Sequence, residues 1–242
     1  MKTRTELEAL IVGGGTFGTA LASLLADRGR RVRMWVRREE QAEEINTRHT
    51  NTRYLPDTSL PDTLEATCDL EAGVRGTPVV LVVIPSRAFR SIAARIGDSI
   101  QGDQVLAHAT KGIEIDTFKR MSEVLREETC ALKIGVISGP NLAREIMAGH
   151  PAGALVASRY READRKVQAL FSGSRMRMYS GKDVVGTEIG GSFKNIIALA
   201  SGIADGMGFG DNAKSLVITR GLSEMARFGV ALGADVFTFG GL

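Results

Sequence analysis

Residues 13–18 read Gly-Gly-Gly-Thr-Phe-Gly and place glycines at the G-x-G-x-x-G spacing, directly after the apolar run of residues 9–12. In this motif the first glycine, Gly13, permits a tight turn, and the second, Gly15, lets the backbone approach a pyrophosphate. The third, Gly18, allows the next helix to pack on the strand, and the N-terminus of that helix offers N–H groups to phosphates. A glycine-rich turn of purely structural use is the alternative. The strand–turn–helix context favours a dinucleotide site.

Arg37 and Arg38 end the second predicted strand, where an NAD-specific site usually has an acidic residue for the ribose 2′-hydroxyl. Guanidinium groups suit a 2′-phosphate through charge-assisted hydrogen bonds. The pair therefore favours NADP(H), with NAD as the alternative cofactor. A solvated basic edge is a further alternative. Nucleic-acid binding is disfavoured because Val32, Met34 and Val36 alternate with the arginines as buried positions and the net charge is only +3.

Two lysines have settings that suit proton transfer. Lys111 directly follows a predicted strand, at the carboxyl edge where doubly wound sheets bind ligands. Lys194 lies on a predicted helix, and its neighbours one turn away are Gly190, Gly191 and Ala198, which leave space for a ligand. Partial burial and neighbouring cations would lower the pKa of Lys194 toward a value useful in acid–base catalysis. Close helix packing beside a solvated lysine accounts for the same pattern equally well.

Short apolar runs alternate with helical patterns over the first two-thirds of the chain. Continuous β-branched runs between helices predict an α/β fold, a Rossmann-like, mostly parallel, doubly wound sheet covered on both faces. We interpret residues 48–61 as a loop. The predicted strands are 9–12, 31–36, 78–84, 105–109, 134–137 and 154–157, and the predicted helices are 17–28, 39–47, 87–96, 117–128, 142–148 and 160–171.

After about residue 180 the pattern becomes helical. Residues 187–204 and 214–231 have helical periodicity, and no strand pattern returns. We therefore predict a dinucleotide-binding domain over residues 1–182 and the start of an all-helical second domain over residues 183–242. Two helices make a thin domain, so we expect that its C-terminal part is missing from this chain.

Composition narrows the class of protein. The 242 residues are 43% hydrophobic, which supports a globular core that needs no disulfides or structural metals. Cys68 and Cys130 cannot build a disulfide framework, and no Cys/His cluster predicts a metal site. His49, His108 and His150 lack metal spacing and are interpreted as structural or surface residues. The N-terminus has no apolar region of secretory length, and no stretch of about 18 apolar residues follows. These features predict a cytoplasmic protein without a membrane span.

Longer motifs follow the glycine loop in order along the chain. Their number and length make the pattern specific, and together they resemble the bacterial NAD(P)-dependent glycerol-3-phosphate dehydrogenases. The matching segments are residues 13–18, 51–56, 84–86, 110–114, 138–140 with Ala143 and Glu145, 185–191, 194–195, 202–205, 210–214 and 218–222.

The resemblance implies reversible hydride transfer between NAD(P)H and dihydroxyacetone phosphate, which gives sn-glycerol 3-phosphate for phospholipid synthesis. Lys194 is then the proton donor for ketone reduction, and Lys111 touches both the nicotinamide and the substrate. The cofactor-binding residues are then Gly13, Gly15, Thr16, Phe17, Gly18, Arg37, Arg38, Tyr54, Pro85, Lys111 and Ala143. The substrate-binding residues are then Lys111, Gly139, Asn141, Lys194 and Asn195.

Departures from the family pattern generate further expectations. The family usually has Trp in place of Phe17 and Ser or Thr in place of Asn141, and its members continue past Leu242 with segments that hold the substrate phosphate. We therefore expect this chain to bind the cofactor but to turn over weakly or not at all. The alternatives are a cofactor-binding protein without turnover and a related reductase of the β-hydroxyacid or ketopantoate type. A homodimer is a further expectation.

Overall fold

The computed structural model of this chain describes residues 7–240. Residues 1–6 and 241–242 lie outside this range, and with them the expectations about the extreme N-terminus and the chain end. The strands are β1 (Ala9–Val12), β2 (Val32–Trp35), β3 (Thr50–Asn51), β4 (Leu55–Ser59), β5 (Glu65–Thr67), β6 (Val79–Val82), β7 (Val105–His108), β8 (Lys133–Ser138), β9 (Ala152–Ser158) and β10 (Met176–Gly181). The α-helices are α1 (Thr16–Ala26), α2 (Glu39–Arg48), α3 (Leu70–Val74), α4 (Phe89–Gly97), α5 (Met121–Glu128), α6 (Ala143–Met147), α7 (Arg161–Phe171), α8 (Val184–Gly206) and α9 (Asp211–Ala231).

Eight strands form one sheet in the order β10-β9-β8-β7-β6-β1-β2-β5. Neighbouring strands are parallel except β8 and β9, which are antiparallel. The chain runs outward from β1 through β2 to β5 and then returns to β6 on the other side of β1, so the strand order reverses there. The predicted Rossmann-like, mostly parallel sheet followed by helices is confirmed.

Burial of both sheet faces explains the continuous apolar strands. In β1 all four residues are buried, and Ala9 and Ile11 face one core cluster while Leu10 and Val12 face the other. The first core cluster includes residues of α1, α2 and α7, and the second includes residues of α3, α4 and α5. Because a strand alternates its side chains between faces, helices on both sides require apolar residues at every position.

The interpretation of residues 48–61 as a loop is wrong. These residues include β3 and β4, which pair as an antiparallel hairpin outside the main sheet. The hairpin lacks an apolar alternation because Leu55 is the one buried residue of β4, and Asp57 adopts a positive φ of 59°. Such a strand resembles a turn-rich loop in sequence, since Pro56 and Asp57 both disfavour strands.

Three other elements, β5, α3 and β10, were not predicted. Strand β10 lies at the edge of the sheet and alternates buried Met176 and Met178 with exposed Arg177 and Tyr179. The predicted helix 117–128 begins later, at Met121, where the backbone N–H of Arg120 donates to Glu123 Oε2 at 2.9 Å. Short length and mixed composition hide the first two elements from periodicity, because five residues or fewer complete no repeat.

Beyond β10, the described chain is helical as predicted. Helices α8 and α9 pack on each other, and the rings of Phe193 and Phe228 lie 4.8 Å apart between centroids. Gly221 in α9 faces Ile197 in α8, where an added Cβ would come within 2.7 Å of the isoleucine side chain. Small residues therefore allow the two helices to approach closely.

Substitution by alanine should destabilise the protein at a buried leucine and not at an exposed one. Leu81 in β6 is fully buried, whereas Leu132 is 65% exposed. We predict that Leu81→Ala lowers the free energy of unfolding by about 2–5 kcal/mol through lost transfer energy and a cavity. Leu132→Ala is the matched control and should change it by less than about 0.5 kcal/mol. Urea denaturation followed by circular dichroism measures both, and equal effects would contradict the assignment of Leu81 to the core.

Candidate active site

A cavity of about 270 Å³ lies at the carboxyl ends of β1, β2 and β6, where the strand order reverses. Open α/β sheets bind ligands at such a point. The cavity brings together six of the residues predicted to hold the cofactor. Its lining residues are Gly13, Gly14, Gly15, Trp35, Arg37, Arg38, Gln41, Tyr54, Val83, Ile84, Pro85, Arg87, Ala88 and Ile92.

The three motif glycines differ in what a side chain at each position would meet. Gly13 has a φ of +127°, and an added Cβ would overlap the carbonyl oxygen of Val83. An added Cβ on Gly18 would overlap the carbonyl oxygen of Gly13, so helix α1 packs against the turn itself. An added Cβ on Gly15 would have no atom within 4 Å. Gly13 and Gly18 are therefore required by the fold, whereas Gly15 borders open space of the kind a pyrophosphate needs.

The N-terminus of α1 faces this open space without a competing side chain. Gly15 is its N-cap, no side chain caps the helix, and its first turn contains no acidic residue. Free N–H groups and the positive end of the helix dipole are therefore available to phosphate oxygens. Thr16 lies in this first turn, while Phe17 packs against the first core cluster, and neither lines the cavity.

Two buried amides, which sequence reasoning missed, hold the glycine loop in place. Gln41 Nε2 donates to the Gly14 carbonyl oxygen at 2.7 Å, and Asn51 Nδ2 donates to the same oxygen at 3.1 Å. Asn51 Nδ2 also donates to Thr19 Oγ1 at 2.8 Å in α1. Helix α2 is too polar overall for periodicity to single out Gln41, whereas Asn51 begins one of the motifs that carry the family resemblance.

The cavity wall carries three arginines, Arg37, Arg38 and Arg87. No carboxylate lines this cavity within residues 7–240, and none of the three guanidiniums forms an ion pair with a described residue. Arg87 enters from the 3-10 turn Ser86–Ala88 after β6 and was not singled out in the sequence. The wall therefore has uncompensated positive charge that suits phosphate.

A second cavity, of about 210 Å³, contains Lys194 and lies between α8 and the end of β8. Gly190 and Gly191 line it beside Lys194, as the helix pattern predicts, whereas Lys194 itself is exposed rather than partly buried. Gly139, predicted to bind the substrate, also lines this cavity. Asn195 is exposed on α8 and does not line this cavity. Ala143 is half-buried at the start of α6.

Lys111 lies beside this cavity and donates from Nζ to the Gly139 carbonyl oxygen at 3.4 Å. The residue is exposed as a whole, yet enough protein surrounds its ammonium for burial to lower the pKa of Lys111, and the nearby Lys194 ammonium lowers it further. The structure therefore places the two lysines close enough to interact. Asn141 donates from its backbone N–H to the same carbonyl oxygen at 3.0 Å, and its buried Oδ1 has no partner among the described residues.

The segment that carries Lys111 is held from two sides. Arg90 donates from Nε and Nη2 to the two carboxylate oxygens of Glu114, each at 2.8 Å. This ion pair and a hydrogen bond from Thr117 lower the pKa of Glu114 to about 2. On the other side, the Gly112 N–H donates to Ser192 Oγ of α8 at 2.9 Å. Lys111 is therefore on a fixed loop.

The sheet, the glycine loop and the two lysines define a dinucleotide-dependent enzyme of the Rossmann-like class. Residues 8–164 match the family described as NAD-dependent glycerol-3-phosphate dehydrogenase N-terminus, and residues 183–242 match the C-terminus of the same family. The chain belongs to the NAD-dependent glycerol-3-phosphate dehydrogenase family. Its activity is the NAD(P)-dependent interconversion of dihydroxyacetone phosphate and glycerol 3-phosphate.

Relatives agree with this assignment. A glycerol-3-phosphate dehydrogenase [NAD(P)+] of Streptomyces griseus is 47% identical over 98% of this chain and 71% of its own length. The crystal structure of glycerol-3-phosphate dehydrogenase from Coxiella burnetii has a TM-score of 0.91 and 38% identity, over 97% of this chain and 72% of that one. A ketopantoate reductase from Ralstonia eutropha has a TM-score of 0.58 at 14% identity, which shows a shared fold alone.

Metal-binding clusters and membrane-spanning helices are both absent from the described residues. Residues 7–240 contain no group of three or more His, Cys, Asp or Glu side chains that could hold a metal ion. None of the helices in the same range is long and apolar enough to cross a membrane.

Alanine at two motif glycines should separate binding from folding. Gly15→Ala meets no protein atom, so we predict unchanged stability and an affinity for NADPH about tenfold lower, because the methyl occupies the pyrophosphate space. Gly18→Ala overlaps Gly13 and should lower the free energy of unfolding by about 1–3 kcal/mol. Quenching of the one tryptophan, Trp35, by reduced nicotinamide reports binding from the cavity wall. Unchanged NADPH affinity in Gly15→Ala would contradict the placement of the pyrophosphate.

Proposed function

We propose that the first cavity is the cofactor site and that Gly13, Gly15, Thr16 and Gly18 hold the pyrophosphate. The open space at Gly15 and the uncapped start of α1 support this role, since both fit a group with oxygen acceptors and negative charge. Tyr54, Pro85 and the half-buried Ala143 are proposed as further cofactor contacts, together with Phe17 and Lys111. When bound, the nicotinamide supplies the hydride.

We propose NADPH as the preferred cofactor. Arg37 and Arg38 line the cavity at the end of β2, where the ribose 2′ position lies in proteins of this fold, and no described carboxylate faces them. A doubly charged 2′-phosphate gains charge-assisted hydrogen bonds there, whereas a 2′-hydroxyl gains much less. Arg87 adds a third positive charge to the same wall.

We propose that Lys194 protonates the carbonyl oxygen when the ketone of dihydroxyacetone phosphate accepts the hydride at carbon, and removes the same proton in the reverse reaction. The observation that carries this role is the convergence of Lys194, Lys111 and Gly139 at one cavity edge. Lys111 then orients the carbonyl oxygen and opposes its developing negative charge. Asn141 and Asn195 are proposed as further substrate contacts.

We also propose the setting of this reaction. The nucleotide-binding unit spans residues 1–182 and the substrate unit begins at residue 183, one residue before α8. The reaction supplies glycerol 3-phosphate for phospholipids in the cytoplasm. Exposed apolar side chains on α8 and α9, among them Leu199 and Leu216, support a homodimer through this face. Sedimentation equilibrium tests the dimer, and a single species of monomer mass at high concentration would exclude it.

Removal of two arginines should change cofactor choice. We predict that Arg38→Gln lowers the affinity for NADPH by about 1.5–3 kcal/mol and leaves the affinity for NADH nearly unchanged, because the lost partner is a 2′-phosphate. Arg37→Gln should act in the same direction. Arg33→Gln is the matched control, since Arg33 lies on β2, just before the pair, but forms an ion pair with Glu65. Titrations of Trp35 emission with both nucleotides measure the ratio, and equal losses for NADH and NADPH would contradict a 2′-phosphate contact.

Turnover tests the function itself. NADPH oxidation is measured with dihydroxyacetone phosphate under single-turnover conditions, with protein in excess so that weak activity is visible. We predict that Lys194→Met slows this step by about 100- to 10,000-fold while NADPH still binds. Lys182→Met, an exposed lysine outside both cavities, is the control.

Ketopantoate in place of the phosphorylated ketone distinguishes the related reductases. Oxidation of NADPH with ketopantoate and not with dihydroxyacetone phosphate would contradict the proposed substrate. Binding of NADPH without oxidation by either compound would favour a cofactor-binding protein without turnover.

A further inference from the structure

Glu188 is a buried carboxylate on α8 that the reaction described above does not use. Its side chain is 3% exposed and accepts four hydrogen bonds. His108 Nε2 donates to Oε1 at 3.1 Å, and the Ser122 N–H donates to the same oxygen at 2.8 Å. Arg120 Nη1 and Ser122 Oγ each donate to Oε2 at 2.7 Å. Both oxygens of a buried charge are therefore saturated, as burial requires.

The donors come from two elements of the first domain. His108 is the last residue of β7, whereas Arg120 and Ser122 belong to the start of α5. Burial raises the pKa of Glu188, but the hydrogen bond and charge of His108 and the bonds from Ser122 hold it below its ordinary value. The ring of Phe89 packs edge-on against His108, with centroids 5.7 Å apart. The charged Glu188 side chain thus connects α8 to the end of β7 and the start of α5.

This tie lies close to the proposed catalytic lysine. Lys194 is six residues after Glu188 on the same helix, which is about 9 Å along its axis. Between them, Ser192 Oγ donates to the Glu188 carbonyl oxygen at 2.9 Å and accepts from the Gly112 N–H of the Lys111 loop. An added Cβ on Gly191 would come within 2.5 Å of Ser138 Oγ at the end of β8. Helix α8 is therefore fixed in both height and rotation where it passes Lys111.

We propose that Glu188 is a positioning residue, whose hydrogen bonds from His108, Arg120 and Ser122 set α8 on the sheet so that Lys194, which lines the second cavity, lies next to Lys111 at the edge of that cavity. Apolar contacts alone would permit the helix to slide or rotate, because they are not directional. Four convergent donors fix one position. The catalytic consequence rests on the proposed role of Lys194, whereas the placement of the helix does not.

The first test measures placement without turnover. The lysines are reductively methylated with ¹³C, and the pKa of Lys111 is followed by NMR, with Lys111→Arg assigning its signal. Glu188→Gln keeps the side-chain shape but removes the charge, and Ser122→Ala removes one donor more gently. Leu170→Ala, in α7 and outside the network, is the control for lower stability. Lys194→Met shows how much of the Lys111 shift comes from the second ammonium.

The expected result is a rise of the Lys111 pKa toward the ordinary lysine value in Glu188→Gln, and a smaller rise in Ser122→Ala. A displaced α8 both exposes Lys111 and moves Lys194 away, and both changes act in this direction. Leu170→Ala should leave the value unchanged, and NADPH should still quench Trp35 in every variant. An unchanged Lys111 pKa in a folded Glu188→Gln or Ser122→Ala protein would overturn the proposal.

The second test measures catalysis. Glu188→Gln should lower the single-turnover rate by about 100-fold, the cost expected for misplacing a reacting group by about 1 Å, without weakening NADPH binding. Restoration of the charge in Glu188→Asp should recover part of the rate. A rate loss in Leu170→Ala of the same size would overturn the positioning role. Absence of turnover in the unaltered chain would count against the proposed function alone, because the Lys111 measurement stands without it.

Discussion

The charge of Glu188 is the constraint on which the relation between sheet and helices depends. A buried carboxylate without partners costs several kcal/mol, so the chain must bring donors to it or fail to bury it. Here β7 and the first turn of α5 supply those donors, and the long helix α8 brings Glu188 to them. Satisfying one charge therefore aligns α8 with two elements whose donors lie 66 to 80 positions earlier in the chain.

The nucleotide cavity follows from a different constraint, the close approach of backbone to backbone. Gly13, Gly18 and the carbonyl oxygen of Val83 meet where strand order reverses, and no side chain fits between them. The same crowding leaves the first turn of α1 open to the crevice. The same arrangement thus serves both packing and binding. Only at Gly15 do the two roles differ, because no protein atom lies within 4 Å of an added Cβ there.

Sequence patterns predicted the strands that are buried on both faces, because continuous apolar runs such as 9–12 and 79–82 are typical of the strands of a covered parallel sheet. The same reasoning failed for β4, which lacks an apolar alternation, and it missed the short alternation of Met176 and Met178 with exposed residues in β10. The motif glycines, both arginines and both lysines were singled out as candidate site residues, because residue type and spacing alone indicate their chemistry. Gln41 and Glu188 were missed because their roles arise from hydrogen bonds across 27 or more positions of the chain.

The reversed direction of β9 has a mechanical consequence. Since β9 and β10 run opposite to β8, the chain leaves the sheet near Val136 and Ala157, and α8 then travels back toward the ligand edge. Lys194 lies about 9 Å along α8 from Glu188, where the helix is held to the sheet. The far end of α8, at Gly206, lies about 27 Å from Glu188. By this lever ratio, a tilt that displaces Gly206 by about 3 Å displaces Lys194 by only about 1 Å. The geometry reduces to about one third the motion that the outer end of α8 passes on to the amine proposed to react.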